Sequence, residues 1–232
     1  MSDYICGENV RIGRNVVIGE GAVLGNNITI HDNVVIKKGA TIGDNAIIGY
    51  REYMPDRISD EDLTEINENV RIRSGAVIYW GTRIGRNSSV GHNAVLRERT
   101  IIGHDTYIGA LNAFEGDTKV GNYVGLNSQC HITKFSEIGD YVFIAPLFVC
   151  ANDRAIAYRR SGHGHDLQGI TIEKNVRIAI GVTALPGIRL GEGSIIGAGS
   201  VVTRDVPPYK VAYGNPARVV RDAPKEDIVS KP

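Results

Sequence analysis

An aliphatic side chain returns every sixth residue along most of this 232-residue chain. In phase with Cys6 stand Ile12, Ile18, Leu24, Ile30, Ile36, Ile42 and Ile48. After a gap the phase resumes at Ile66 and Ile72 and runs unbroken from Ile78 to Cys150. A second gap shifts it, and it resumes at Ile172, Ile178, Ala184, Leu190, Ile196 and Val202. Of these 29 positions, 25 are Leu, Ile or Val, so a repeat array is the only architecture worth building on. Two residues earlier the side chain is small or β-branched, as at Val16, Ala22, Val34, Ala40, Ala76, Thr82 and Ser88. Residues two apart share one face of a strand, so each unit turns two side chains inward. The next position is often glycine (Gly13, Gly19, Gly43, Gly85, Gly103, Gly121, Gly139), where a turn with positive φ is expected. A short strand plus a corner, repeated, winds a parallel β-helix with coils about 4.8 Å apart.

Composition agrees. The chain holds 28 glycines and only 6% aromatics, which suits tight corners and thin layers. Its 26 basic and 26 acidic residues cancel, giving no case for nucleic acid or an anionic membrane as partner. No apolar run is long enough to span a membrane. The opening residues lack the pattern of a secretory signal, and a cytoplasmic location is expected. Cys6, Cys130 and Cys150 all fall on inward positions, which predicts buried, inert thiols.

The pattern resembles the hexapeptide-repeat acyltransferases. That resemblance implies an all-β, left-handed parallel β-helix with three strands per coil, and a homotrimer. The ending GAGSVVTRDVPPYKVAYGNPARVVR (197–221) is similar to the terminal coil and tail of acetyl-CoA-dependent members. IGDYVFIAPLFVCANDR (138–154) and ITIEKNVRIAIGVTALPGI (170–188) resemble the nucleotide-sugar N-acetyltransferases. The expected organisation is a β-helix domain over 1–206 and a capping tail over 207–232. Two loops leave the repeat, at 49–65 and 151–169. The first keeps the six-residue phase; the second breaks it by four and carries Arg159, Arg160, His163 and His165 beside the expected acetyl-CoA site.

With 18 residues per coil, residues 18 apart stack in columns. The column through His131 then reads Ile5, Val23, Thr41, Ser59, Val77, Val95, Ala113, His131 and Val149, an apolar stripe on an outer face. A second column, Arg11, Thr29, Ile47, Arg83, Ile101, Lys119 and Glu137, reads as solvated. An exposed apolar stripe calls for a partner surface, here another copy of the chain. His131 is the ionisable group within it, and its ordinary pKa of about 6.5 suits a general base. The alternative is an interface histidine satisfied by a hydrogen bond. Glu115, standing where glycine is usual, is a second candidate for taking the proton. Asn112, Asn127 and Gln129 are candidate substrate contacts, or else structural ladder residues.

The resemblance also implies acetyl-CoA as co-substrate, lying along a groove between subunits. Its pantetheine arm would meet main chain around Ala179, Gly181 and Gly197, with Arg204 and Arg218 near its phosphates. The implied reaction is direct acetyl transfer to the amine of a nucleotide-linked amino sugar. Rival readings are acyl transfer to a hydroxyl or another small amine, and a non-catalytic β-helix scaffold. His31, His92 and His104 read as solvated corner residues. The GHGHD stretch lacks the spacing of a metal site, and no metal is expected. Tyr79 and Trp80 read as an exposed aromatic pair, with stacking on a nucleobase as the sharper alternative.

Overall fold

The computed structural model describes residues 3–51, 62–162, 164 and 166–224. It is all-β, and each of the 29 periodic positions lies on a strand, most of them two residues long. The strands form three parallel sheets, which are the three faces of a prism. The first face runs from Ile5–Cys6 to Ile195–Ile196, the second from Arg11–Ile12 to Val201–Val202, and the third from Val17–Ile18 to Arg189–Leu190. This is the left-handed β-helix of hexapeptide repeats. Each coil hydrogen-bonds to its neighbours at the same register, as in Ala113↔His131 and Phe114↔Ile132. The periodic aliphatics and their partners two residues earlier fill the interior, where Ile30, Ile48, Ile78, Leu96 and Ile132 are all but fully buried.

The glycines following the periodic position do not supply the turn. None of the seven takes a positive φ. Instead, a side chain there would strike the next coil: a Cβ on Gly103 would lie 2.5 Å from Gly121 O, and one on Gly139 2.7 Å from Lys174 N. These residues are small because coils stack too closely for anything larger. The left-handed corner comes two residues later. There Asn15, Asn27, Asn33, Asn45, Asn69, Asn87 and Asn93 have φ between 53° and 59°, a conformation asparagine tolerates.

The first interruption changes the columns. Across it Ile36 pairs with Ile66, 30 residues on, where the coils before it pair 18 apart. The loop therefore adds twelve residues. Twelve is a multiple of six, so the alternation of inward and outward residues survives. It is not a multiple of eighteen, so everything before the loop moves to another face. The column through His131 is Arg11, Thr29, Ile47, Val77, Val95, Ala113, His131 and Val149. Ile5, Val23 and Thr41 stack instead on Arg71 and Ser89 of the first face. Residue 59 lies outside the described residues. The third face is solvated as expected from Arg83 to Glu137, with Lys119 and Glu137 paired at 3.0 Å.

The second interruption adds sixteen residues, since Ile138 pairs with Ile172. Both loops leave the same edge of the prism, the corner between the second and third faces. The tail is continuous with the solenoid: Lys210–Gly214 adds a parallel strand to the first face, and Ala217–Asp222 returns antiparallel to it. Cys130 and Cys150 are buried, and burial pushes both thiols above their ordinary pKa. Cys6 is exposed, contrary to expectation, because an inward position on the outermost coil has no earlier coil to cover it.

Candidate active site

His131 opens the two-residue strand His131–Ile132 on the second face, with Ala113 below and Val149 above. Its side chain is half-exposed. Its Nε2 lies 2.9 Å from Glu115 Oε1, the next corner residue one coil earlier. A carboxylate only accepts, so this contact places the proton on Nε2 and leaves Nδ1 as the free acceptor. The other oxygen, Glu115 Oε2, accepts from the main-chain N–H of Lys134 at 3.3 Å. His131 and Glu115, alternatives in the sequence, form one hydrogen-bonded pair.

The corner behind this pair is densely charged. Lys134 Nζ reaches Asp117 Oδ2 at 2.7 Å and Glu98 Oε1 at 3.4 Å. Arg99 grips Asp117 with Nε and Nη2, at 2.5 and 2.8 Å, and its guanidinium lies 4.8 Å over the ring of Trp80. Arg97 Nε holds Glu98 Oε2 at 3.1 Å. Burial alone would raise the pKa of Asp117, but the hydrogen bonds from Arg99 and Lys134 outweigh it and hold its carboxyl below the ordinary range. Glu98, Asp117, Lys134 and Arg99 were not singled out from the sequence. The signal was present: Glu98, Gly116 and Lys134 are 18 apart, opposite charges across a missing side chain.

The other sequence candidates divide. Asn112 is buried inside the coil; its Oδ1 accepts from Cys130 N at 2.7 Å and its Nδ2 donates to Gly109 O at 3.0 Å. It is a ladder residue and touches no surface where a substrate could lie. Asn127 is half-buried, with Nδ2 donating to Ile144 O at 3.1 Å. Gln129 is exposed at a left-handed corner, φ 61°.

Asn127, Ala145, Ala179 and Gly197 stack along the corner between the first and second faces. Gly181 stands on that corner too, with a positive φ, and a Cβ there would meet Gly199 N at 4.0 Å, an ordinary contact. Gly197 does not offer open backbone: a Cβ there would sit 2.6 Å from Tyr213 Cβ, so the tail already fills that space. Arg204 and Arg218 are exposed; Arg218 Nη1 donates to Ala217 O at 2.9 Å.

Trp80 is not part of an exposed pair; it is 5% accessible beneath Arg99. Tyr79 meets the ring of Tyr50 edge-on at 4.9 Å and Arg97 at 5.8 Å, so its faces are already occupied. His92 is exposed as expected. His31 and His104 are half-buried instead, packed against Tyr50 and Tyr123, because the corner ladders bring rings together. His163 and His165 lie outside the described residues. Among the described residues no three His, Cys, Asp or Glu side chains gather as a metal would require.

Comparison with known proteins defines the class first. Residues 169–204 match the bacterial transferase hexapeptide (six repeats), and residues 5–38 match the hexapeptide repeat of succinyl-transferase. Fold and repeats together define a hexapeptide-repeat solenoid whose repeats are similar to those of transferases, and proteins named as acetyltransferases are among its relatives. Galactoside O-acetyltransferase of Escherichia coli is 43% identical over 91 residues, 39% of this chain and 45% of its own. A Staphylococcus aureus (strain Mu50) protein bearing an acetyltransferase name is 41% identical over 121 residues, 48% of this chain and 60% of its own. The chain thus spans about half the length of the curated relatives it matches. The solved structure of Arabidopsis UDP-N-acetylglucosamine acyltransferase superposes with a TM-score of 0.56 over 95% of this chain and 73% of that one, at 21% identity, a likeness of fold.

Proposed function

We propose that this protein transfers an acetyl group from acetyl-CoA directly to the amine of a nucleotide-linked amino sugar. The observation that carries the reading is the His131–Glu115 pair, 2.9 Å apart on an outer face of the solenoid. Glu115 holds the proton on Nε2, and Nδ1 takes a proton from the acceptor as its nitrogen attacks the thioester carbonyl. The carbon–sulfur bond then breaks, and the proton passes to the departing thiolate. The N–H groups of Ala179 and Gly181 are spent on Ile196 O and Pro146 O, so the main-chain N–H of Ile180 between them stabilises the oxyanion, and Arg204 and Arg218 meet the CoA phosphates. Alignment of the two substrates supplies much of the rate.

The active unit is a cytoplasmic homotrimer. Support comes from large apolar side chains left bare around the first face and its corners: Tyr107, Leu111, Phe143 and Leu147 are each 41–54% accessible in the single chain. The corner holding Leu111, Gln129 and Leu147 lies toward the three-fold axis, and the second face, with His131, packs against the neighbouring copy.

A hydroxyl acceptor is the second reading. It is favoured by the likeness to an O-acetyltransferase and by the base itself, since a hydroxyl needs deprotonation more than a neutral amine does. Turnover of acetyl-CoA with a panel of UDP- and dTDP-linked amino sugars, followed by mass spectrometry of the product, tests both. Acetyl on nitrogen supports the first, acetyl on oxygen the second. Absence of both turnover and CoA binding supports a scaffold.

A further inference from the structure

We propose that Lys134 is a positioning residue, held by Glu98 and Asp117 so that its main chain clamps Glu115 against His131 and its charge offsets the carboxylates around the imidazole. The inference rests on reading His131 as the base. Lys134 stands one coil beyond Gly116 and two beyond Glu98, in one column. Gly116 has a φ of +93°, and a Cβ there would fall 2.8 Å from Glu98 O and 3.0 Å from its carboxyl carbon. The missing side chain opens the gap through which Lys134 Nζ reaches across a whole coil to Glu98, a contact 36 residues apart in sequence. The Lys134 side chain is only 25% accessible and that of Glu98 11%, so this is an inner brace beneath the surface pair. The same Lys134 donates its N–H to Glu115 Oε2, and Asp117 fixes the ammonium from the side at 2.7 Å.

The charges around His131 balance. Arg97, Glu98 and Arg99 follow the strand Val95–Leu96, Glu115 and Asp117 follow Ala113–Phe114, and Lys134 follows His131–Ile132. Three carboxylates face three permanent cations. From the later coil come Val149, the buried thiol of Cys150, and Asn152, whose Nδ2 donates to Lys134 O at 3.4 Å. Asp153 beyond them spends its carboxylate on the N–H groups of Ala155 and Ala157. Removing the Lys134 charge leaves a negative excess that favours imidazolium; removing Glu98 leaves a positive one that disfavours it.

The test is the His131 titration, followed by long-range proton–nitrogen NMR of the labelled imidazole in the full chain, together with the pH profile of kcat/KM. Lys134→Met is expected to raise the His131 midpoint by about half a pH unit, and Glu98→Gln to lower it by about as much. Lys134→Arg should restore the wild-type midpoint. The acid limb of kcat/KM should move with each. Midpoints that stay put in both charge variants, or move in the same direction, overturn the proposal. If no acceptor is turned over, the proposed function fails, and the NMR midpoints still decide the role of Lys134.

Discussion

Replacing Gly103 by alanine isolates why this repeat needs glycine after its periodic aliphatic. The new Cβ would lie 2.5 Å from Gly121 O and 2.6 Å from both Gly121 C and Asn122 Oδ1. Ordinary contact begins near 3.4 Å, so the neighbouring coil must retreat by about 0.9 Å. That is nearly a fifth of the roughly 4.8 Å coil spacing. The obstacle is main chain locked into the ladder, which cannot swing aside, so the cost belongs with core overpacking at about 2–3 kcal/mol. Gly21→Ala is the control: φ is +68° there and nothing lies within 4 Å, so only left-handed strain remains, about 1–2 kcal/mol. Thermal melts by circular dichroism should place the Gly103 variant about 5–10 °C below wild type and the Gly21 variant about half as far below. Hydrogen exchange should quicken in the coils on either side of residue 103. A Gly103 variant melting within a degree or two of wild type, or above the Gly21 variant, would refute crowding between coils as the reason for these glycines.

Other outcomes follow from the same geometry. Asn112→Ala should destabilise the fold by about 1–3 kcal/mol, since Cys130 N loses its buried acceptor, while KM for both substrates stays unchanged in steady-state assays. The folded pKa of Asp117 is depressed, so its contribution to stability is fully present above its unfolded value of about 3.9 and is lost as pH falls through the lower, folded value. Asp117→Asn should therefore cost stability in denaturant titrations at pH 7 and progressively less as the pH drops below 4. Leu111→Asp with Leu147→Asp should turn a trimer into monomer in light scattering, because two charges would enter the proposed interface.

Much of the solenoid was legible. Every periodic aliphatic found its strand, because burial in so narrow a prism leaves each inward position little choice of residue. The glycine after it misled: the residue type marked the corner, but close stacking and not φ explains it. The columns failed at the first loop for a definable reason. Periodicity reports whether a residue faces in or out, whereas the face it occupies depends on loop length modulo eighteen. His131 survived that error because it lies beyond the loop. Glu115 was visible as an intruder at a glycine position. Its partner Lys134 was not, since the brace to Glu98 depends on an absent side chain at Gly116. Asn112 was left between two readings because a buried ladder amide and a substrate-binding amide look alike until the direction of the side chain is known.

The central claim is that His131 accepts a proton during acetyl transfer, and thiol release from acetyl-CoA tests it most directly. Wild type and His131→Ala are compared on the same panel of nucleotide-linked amino sugars, with acetyl-CoA binding measured alongside. The account predicts one productive acceptor for wild type, and a kcat at least about a hundredfold lower in the variant with acetyl-CoA affinity intact. A variant that turns over nearly as fast as wild type would contradict it and reduce His131 to an interface residue.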